Sequence, residues 1–275
     1  MGRPKYSITD LLRVMERLRD PESGCPWDLQ QDFRSIVPST LEECYELAEA
    51  IEHDDYGHVA EELGDVLFQV VFYAQMGREE GLFSFSEIVN TLVEKLVRRH
   101  PHVFASGEIE GRVDEATSIE EVGDTWEAIK QRERDSRSQN GALADVPRAL
   151  PALPRAQKLQ KRASRVGFDW PDADGVLDKI SEETLELSEA IGQRDRIAMA
   201  EELGDLLFSC VNLARHLEVD AESSLRDASR RFEQRFTLME KTAEQQGRSL
   251  SSLSASEQDE LWELAKYTLT LGDSA

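Results

Sequence analysis

The sequence predicts an all-α protein made of two tandem copies of one helical-bundle domain. Three observations lead there. First, the hexapeptide AEELGD occurs at 60–65 and again at 200–205, and the likeness runs outward on both sides: LEECYELAEAI (41–51) matches SEETLELSEAI (181–191), and AEELGDVLFQVVFYAQ matches AEELGDLLFSCVNLAR, all at an offset of 140 residues. A period of that length is a domain rather than a solenoid turn. Second, the long segments carry helical periodicity. Leu203, Leu206, Leu207, Cys210, Val211, Ala214 and Leu217 fall at i, i+3, i+4, i+7, i+8, i+11 and i+14, the stripe of an amphipathic helix, and no run alternates as a strand would. Third, SRSQNGALADVPRALPALP (136–154), with Pro147, Pro151 and Pro154 spaced through it, reads as a linker between residues 1–135 and 155–275.

Element by element, SITD supplies cap residues for a helix over 8–19, and DPESGCPWD (20–28) reads as a turn-rich loop. Helices follow at about 39–53, 57–80 and 86–100, the last stopped by Pro101 because the residue before proline avoids the helical region. The second copy gives helices at about 155–165, 174–191, 196–217 and 220–246, then a last one at about 255–269.

Composition narrows the function. Lys and Arg number 32 against 55 Asp and Glu, a net charge of −23. Such a chain repels nucleic acid and anionic membrane, so neither is an expected partner. An anionic substrate would need a metal ion to neutralise it. Cys25, Cys44 and Cys210 form no CxxC pair and suit a reduced, cytoplasmic chain better than a disulfide frame or a zinc site. The start MGRPKYSITD has no apolar core of a signal peptide, Tyr6 stands where a myristoylation signal needs Ser or Thr, and no apolar run reaches 18 residues.

The acidic residues of the repeat carry the chemistry. Glu183 and Glu186 are three apart and share a helix face, as do Glu202 and Asp205 on the next helix. The short connection GQRDR (192–196) makes the two helices an antiparallel hairpin. Glu186 and Glu202 each lie eight residues from Arg194, and Glu183 and Asp205 each lie eleven from it. The pairs are therefore level, about 12 and 16 Å from the turn at about 1.5 Å per residue, and four carboxylates can converge. Glu43, Glu46, Glu62 and Asp65 repeat the arrangement around Asp54. Two like charges 4 Å apart repel by about 4 kcal/mol at an effective dielectric of about 20. A divalent cation relieves that repulsion, and an all-carboxylate set suits Mg²⁺, with Mn²⁺ possible. A solvated acidic face is the alternative. A di-iron bundle is disfavoured because none of the five histidines has Glu at i−3.

The pattern EExxE, fifteen residues, then ExxD resembles the signature of the MazG-type nucleoside triphosphate pyrophosphohydrolases, of the all-α NTP pyrophosphatase superfamily. GCPWD (24–28), RRHPHVF (98–104), VGFDW (166–170) and the tandem duplication extend the likeness over nearly the whole chain. The resemblance implies Mg²⁺-dependent cleavage between the α- and β-phosphates of nucleoside triphosphates, giving a monophosphate and pyrophosphate. It further implies broad base tolerance, a housecleaning role and a homodimer. Glu183, Glu186, Glu202 and Asp205 would be the metal-holding catalytic residues. Glu43, Glu46, Glu62 and Asp65 would hold metal in the first copy. The alternatives are a narrow dUTP or dCTP pyrophosphatase and a non-enzymatic, metal-binding dimeric scaffold.

A second constellation repeats at an offset of 136: Lys95, Arg99, Trp126 and Lys130 match Arg231, Arg235, Trp262 and Lys266. Cationic side chains suit a phosphate tail and a tryptophan face suits base stacking, while amphipathic helices with a core Trp give the same pattern. Lys158 and Lys161 add charge near the expected entrance, and His100 and His102 read as packing residues. The copies differ seven residues beyond the Asp, where the second has Asn212 and the first Phe72. Ser209 and Asn212 give the second site a polar floor, so the C-terminal copy is the expected catalyst.

Overall fold

The computed structural model describes residues 5–104, 107–111, 118, 121–122, 125–126, 129, 133 and 141–272. Lys130 and residues 136–140 of the expected linker lie outside them. Among the described residues the regular structure is helical, with no strand. The chain divides into two compact units, Met1–Glu133 and Arg134–Ala275.

The first unit holds α1 (Ile8–Leu18), α2 (Pro26–Leu29), α3 (Val37–Glu52), α4 (Tyr56–Glu79) and α5 (Phe85–Arg99). Ser7 caps α1 in a reciprocal capping box with Asp10, and Ser84 does the same for α5 with Glu87, each box satisfying orphan amides of the first turn. The expected loop at 20–28 contains one unanticipated turn of helix, α2, begun by Pro26 at its first position. Four residues are too few for periodicity to reveal. Gly24 is required just before it: a Cβ there would lie 2.4 Å from the Leu18 carbonyl oxygen. Helix α3 packs along α4, and α1 crosses α4. Met15, Ile36, Val71, Phe72 and Met76 form the core, flanked by Leu11, Leu12, Phe33, Phe68, Tyr73 and Phe85.

The second unit holds α6 (Ala152–Ser164), α7 (Ala173–Gln193), α8 (Arg196–His216), α9 (Ala221–Gln245), a 3₁₀ turn (Leu250–Ser252) and α10 (Ala255–Gly272). Helix α6 begins three residues before its expected start, taking Pro154 into its first turn, where the missing amide hydrogen costs nothing. Helix α7 packs along α8, α6 against α8, and α9 against α10. Met239, Ala243, Leu253, Leu261 and Ala265 form a core between α9 and α10, with Leu238, Leu250 and Trp262 packed on it.

The two hairpin turns are the same device. Asp54 (φ +54°) and Arg194 (φ +58°) both stand in the left-handed region without being glycine. After each, the next amide reaches back to a helix carbonyl, Asp55 to Ala50 at 3.2 Å and Asp195 to Ala190 at 3.1 Å. This is the Schellman closure of a helix C-terminus. The side chains of Asp55 and Asp195 then cap the following helices, accepting from His58 N and from Ile197 N and Ala198 N. Stopping one helix and starting the next within three residues sets the hairpin register, and the register sets the site.

Candidate active site

The register brings carboxylates together as counted from the turns. In the second unit, one ligand oxygen each from Glu183, Glu186 and Glu202 lies within 4.8 Å of the others, and Glu43, Glu46 and Glu62 repeat this in the first. Asp205 and Asp65 stand outside these tight triples and are exposed; Asp is one methylene shorter than Glu, which holds its carboxylate back toward its own helix. Asp205 is still near enough to act electrostatically. Burial, then the charges of Glu186, Glu183, Asp205 and Glu201, push the Glu202 carboxyl above its ordinary range. Burial, then Asp65, Glu46, Glu62 and Glu42, do the same to Glu43. Both clusters are therefore acidic groups held together against their repulsion.

Each triple contains one buried carboxylate half satisfied. Glu183 is 4% exposed, and its Oε1 is held by Lys179 Nζ at 2.7 Å. Glu62 is 6% exposed, and its Oε1 is held by His58 Nε2 at 2.7 Å. The second oxygen of each, Oε2, is buried with no hydrogen-bond partner. An unsatisfied buried acceptor costs about 1–3 kcal/mol, more when charged. The donor set fits Mg²⁺: oxygen ligands only, clustered, with an unspent carboxylate oxygen in each triple. At metal–oxygen distances of about 2.1 Å, opposite ligands stand about 4.2 Å apart, so 4.8 Å closes with small side-chain shifts.

Of the second triple, Glu183 lines a cavity of about 580 Å³, together with Lys179, Asp205, Ser209, Asn212 and Arg215 among others. One part of its wall is polar. Asn212 Oδ1 accepts from Arg215 Nε at 3.0 Å and Nη2 at 2.7 Å, and Arg215 also pairs with Asp169. His216 Nε2 lies 3.2 Å from the same Asp169 oxygen. Burial opposes ionisation of Asp169, but the Arg215 hydrogen bond and charge, the Trp170 amide and His216 outweigh it and hold the carboxyl below its usual range. Arg215 is thus a fixed guanidinium on the wall of the cavity that Glu183 and Asp205 also line.

The other wall is apolar. Phe168 and Trp170 come from the VGFDW loop, whose shape follows from the end of α6. Gly167 takes φ +82°, its amide bonding the Ser164 carbonyl and the Phe168 amide bonding that of Ala163, again a Schellman closure. Glycine at that point turns the chain so that Phe168, Asp169 and Trp170 line the cavity.

The copies differ at positions 72 and 212. Phe72 is 1% exposed within the first unit's core, while half-buried Asn212 lines the second unit's cavity with buried Ser209. A groove of about 570 Å³ in the first unit is bounded by α1, α4 and the start of α5, and none of Glu43, Glu46, Glu62 and Asp65 lines it.

The second constellation lies elsewhere. Trp262 packs against Phe232, with ring centroids 5.4 Å apart, and Arg235 lies over its ring at 5.6 Å. Lys266 pairs with Glu263 at 2.8 Å, and Arg231 is exposed. None of Arg231, Arg235, Trp262 and Lys266 lines the cavity, nor do Lys158 and Lys161, which are exposed on α6. In the first unit, Trp126 packs against His100 and Arg99 pairs with Glu133. Sequence reasoning left Lys179, Arg215 and Asp169 unassigned. Lys179 had a usable signal, since the first copy has Ser39 at that place.

A tandem all-α protein with an acidic cluster in each helical hairpin is the class that fold and site define. The family model of the MazG nucleotide pyrophosphohydrolase domain matches residues 31–104 and 173–238, the two hairpins and the helix after each. The chain is 48% identical, over 94% of its length and 97% of the relative's, to the nucleoside triphosphate pyrophosphohydrolase of Escherichia coli K12. It is 47% identical, over 94% of both chains, to the nucleoside triphosphate pyrophosphohydrolase/pyrophosphatase MazG of Thermotoga maritima. An uncharacterised protein of Bacillus subtilis, YabN, is 41% identical over 96% of this chain and 52% of its own. The chain belongs to the MazG nucleotide pyrophosphohydrolase family.

Proposed function

We propose that this chain is a Mg²⁺-dependent nucleoside triphosphate pyrophosphohydrolase acting from its C-terminal copy. Water adds across the α–β phosphoanhydride, giving a nucleoside monophosphate and pyrophosphate, with broad tolerance of the base and a cytoplasmic role in clearing nucleotide pools. The observation that carries this reading is the cluster of Glu183, Glu186 and Glu202 within 4.8 Å, with Glu183 Oε2 unpartnered, beside a cavity of about 580 Å³. The names of the relatives supply the activity.

In this reading Glu183, Glu186, Glu202 and Asp205 hold the ion, with Glu43, Glu46, Glu62 and Asp65 as a lesser site in the first copy. When bound, Mg²⁺ supplies positive charge against the phosphate oxygens. Lys179 and Arg215, on the cavity wall, donate to phosphate oxygens that the ion leaves uncovered. Asp169 and Asn212 fix the Arg215 guanidinium, so its geometry is set before substrate arrives. Phe168 and Trp170 offer faces for the base.

A homodimer belongs to the same reading. Leu185, Ile191, Ile197, Leu203 and Leu207 are exposed along α7 and α8, an apolar content that a second copy would cover. Arg231, Arg235, Trp262 and Lys266 would then reach a nucleotide from the second copy, and Lys158 and Lys161 would sit at the entrance. The deciding experiment is product analysis on a panel of ribo- and deoxyribonucleoside triphosphates, with and without Mg²⁺. Pyrophosphate with monophosphate supports the reading; orthophosphate with diphosphate, or no turnover, rejects it.

A further inference from the structure

Gln160 is a polar residue of the cavity lining that the site described above does not use. It lies on α6 and is 7% exposed. Its Nε2 donates to the Phe208 carbonyl at 2.8 Å, and its Oε1 is buried without a partner. A carbonyl only accepts, so the amide nitrogen must face Phe208 and the amide oxygen must face away. The side chain is thereby fixed as an acceptor. Orphaned buried acceptors are uncommon in native proteins and call for a ligand donor, a bound water or a function.

The surroundings say which ligand. Phe208 stands on α8 about one helical turn beyond Asp205 and six residues beyond Glu202. Leu159, Ala163, Phe168, Trp170 and Phe208 line the cavity with Gln160. An apolar, aromatic stretch of a cavity that also holds carboxylates, with a fixed and unpartnered acceptor set in it, has the chemistry of a base pocket. All four common bases present an N–H on the Watson–Crick edge: the amino groups of adenine and cytosine and the ring N–H of guanine and uracil. One acceptor therefore accommodates every one of them and disfavours a base that has no such donor.

We infer that Gln160 is a specificity-determining residue: its Oε1 accepts a hydrogen bond from the Watson–Crick edge of the substrate base. The inference rests on the nucleotide reading of the cavity.

The test compares ATP with purine riboside 5′-triphosphate, which lacks the amino group and is otherwise the same size. In the unaltered protein, kcat/KM for ATP is expected to exceed that for the analogue about ten-fold or more, because a buried acceptor left unpaired discriminates strongly. The difference should reside mainly in KM. In Gln160→Leu the ratio is expected to collapse toward one through loss on ATP. Turnover of both nucleotides with a ratio near one in the unaltered protein overturns the inference and leaves the pyrophosphohydrolase reading standing. Turnover of neither overturns both. A Gln160→Leu protein that melts normally and keeps the unaltered ratio also overturns it. Should Gln160→Leu fail to fold, the comparison in the unaltered protein still decides.

Discussion

Lys179 Nζ holds one oxygen of the Glu183 carboxylate at 2.7 Å while the other, Oε2, is buried with no partner. The lysine acts as a counter-ion for half of a group whose other half is unpartnered and, in the proposed reading, faces the cation. The hydrogen bonds that Lys179 donates to Glu183 and then Glu182 raise its pKa, so the ammonium persists throughout the neutral range. Lys179→Met is expected to lower the melting temperature of metal-free protein, because buried Glu183 loses the ammonium that pairs with its Oε1. The same variant should bind Mg²⁺ more tightly, since a positive charge that opposed the ion is gone. Thermal melts and calorimetric titration check both; unchanged melting together with unchanged affinity contradicts the pairing.

The hairpin turns give a test of the scaffold. Arg194 occupies φ +58°, where a side chain costs about 1–2 kcal/mol that glycine avoids. Arg194→Gly is expected to be neutral or stabilising by up to about 1 kcal/mol, the gain offset in part by a freer unfolded chain. Arg194→Val, branched at Cβ, should destabilise by about 1–2 kcal/mol or more. Urea unfolding of the two variants measures this, and equal stabilities would contradict the left-handed turn.

A pH dependence follows from Glu133. Hydrogen bonds from Arg99 and Arg98 hold its carboxyl down to about 2, against the opposing effect of burial. A depressed carboxylate stabilises the fold above its unfolded value near 4.5, and that stabilisation is lost as pH falls toward 2. Glu133→Gln should therefore melt below the unaltered protein at pH 7, with the gap closing between about pH 4.5 and 2. The pair is partly solvated, so the gap at pH 7 should be small, on the order of 1 kcal/mol or less. A gap that is constant with pH would mean that the glutamine disturbs packing and not charge.

Much of this was legible because helices announce themselves by period and hairpins by symmetric counting. Counting from Arg194 placed Glu183, Glu186 and Glu202 together, since a short turn leaves the register little freedom. It did not separate Asp205 from them, because counting follows the backbone and not side-chain length. Helix α2 was missed because Pro26–Leu29 is a single turn. Gln160 was passed over because, between Lys158 and Lys161, it reads as part of a solvated face; only the packing of α6 on α8 buries it. Arg215 and Asp169 meet across 46 residues, a contact that no local pattern encodes. For Trp262, stacking chemistry and core packing gave the same sequence pattern, and in the structure its ring lies against Phe232 and the α9–α10 core.

In the proposed function the C-terminal carboxylates, with Mg²⁺, carry pyrophosphate release. The most direct measurement is the turnover of ATP to AMP and pyrophosphate by Glu202→Gln and Glu62→Gln, each with Mg²⁺ and with excess chelator. Glu202→Gln is expected to lose about 10²–10³-fold in turnover, the scale of removing one electrostatic stabiliser, whereas Glu62→Gln should lose far less, and chelator should abolish turnover in every case. Equal losses from the two variants, or full turnover in chelator, would contradict it.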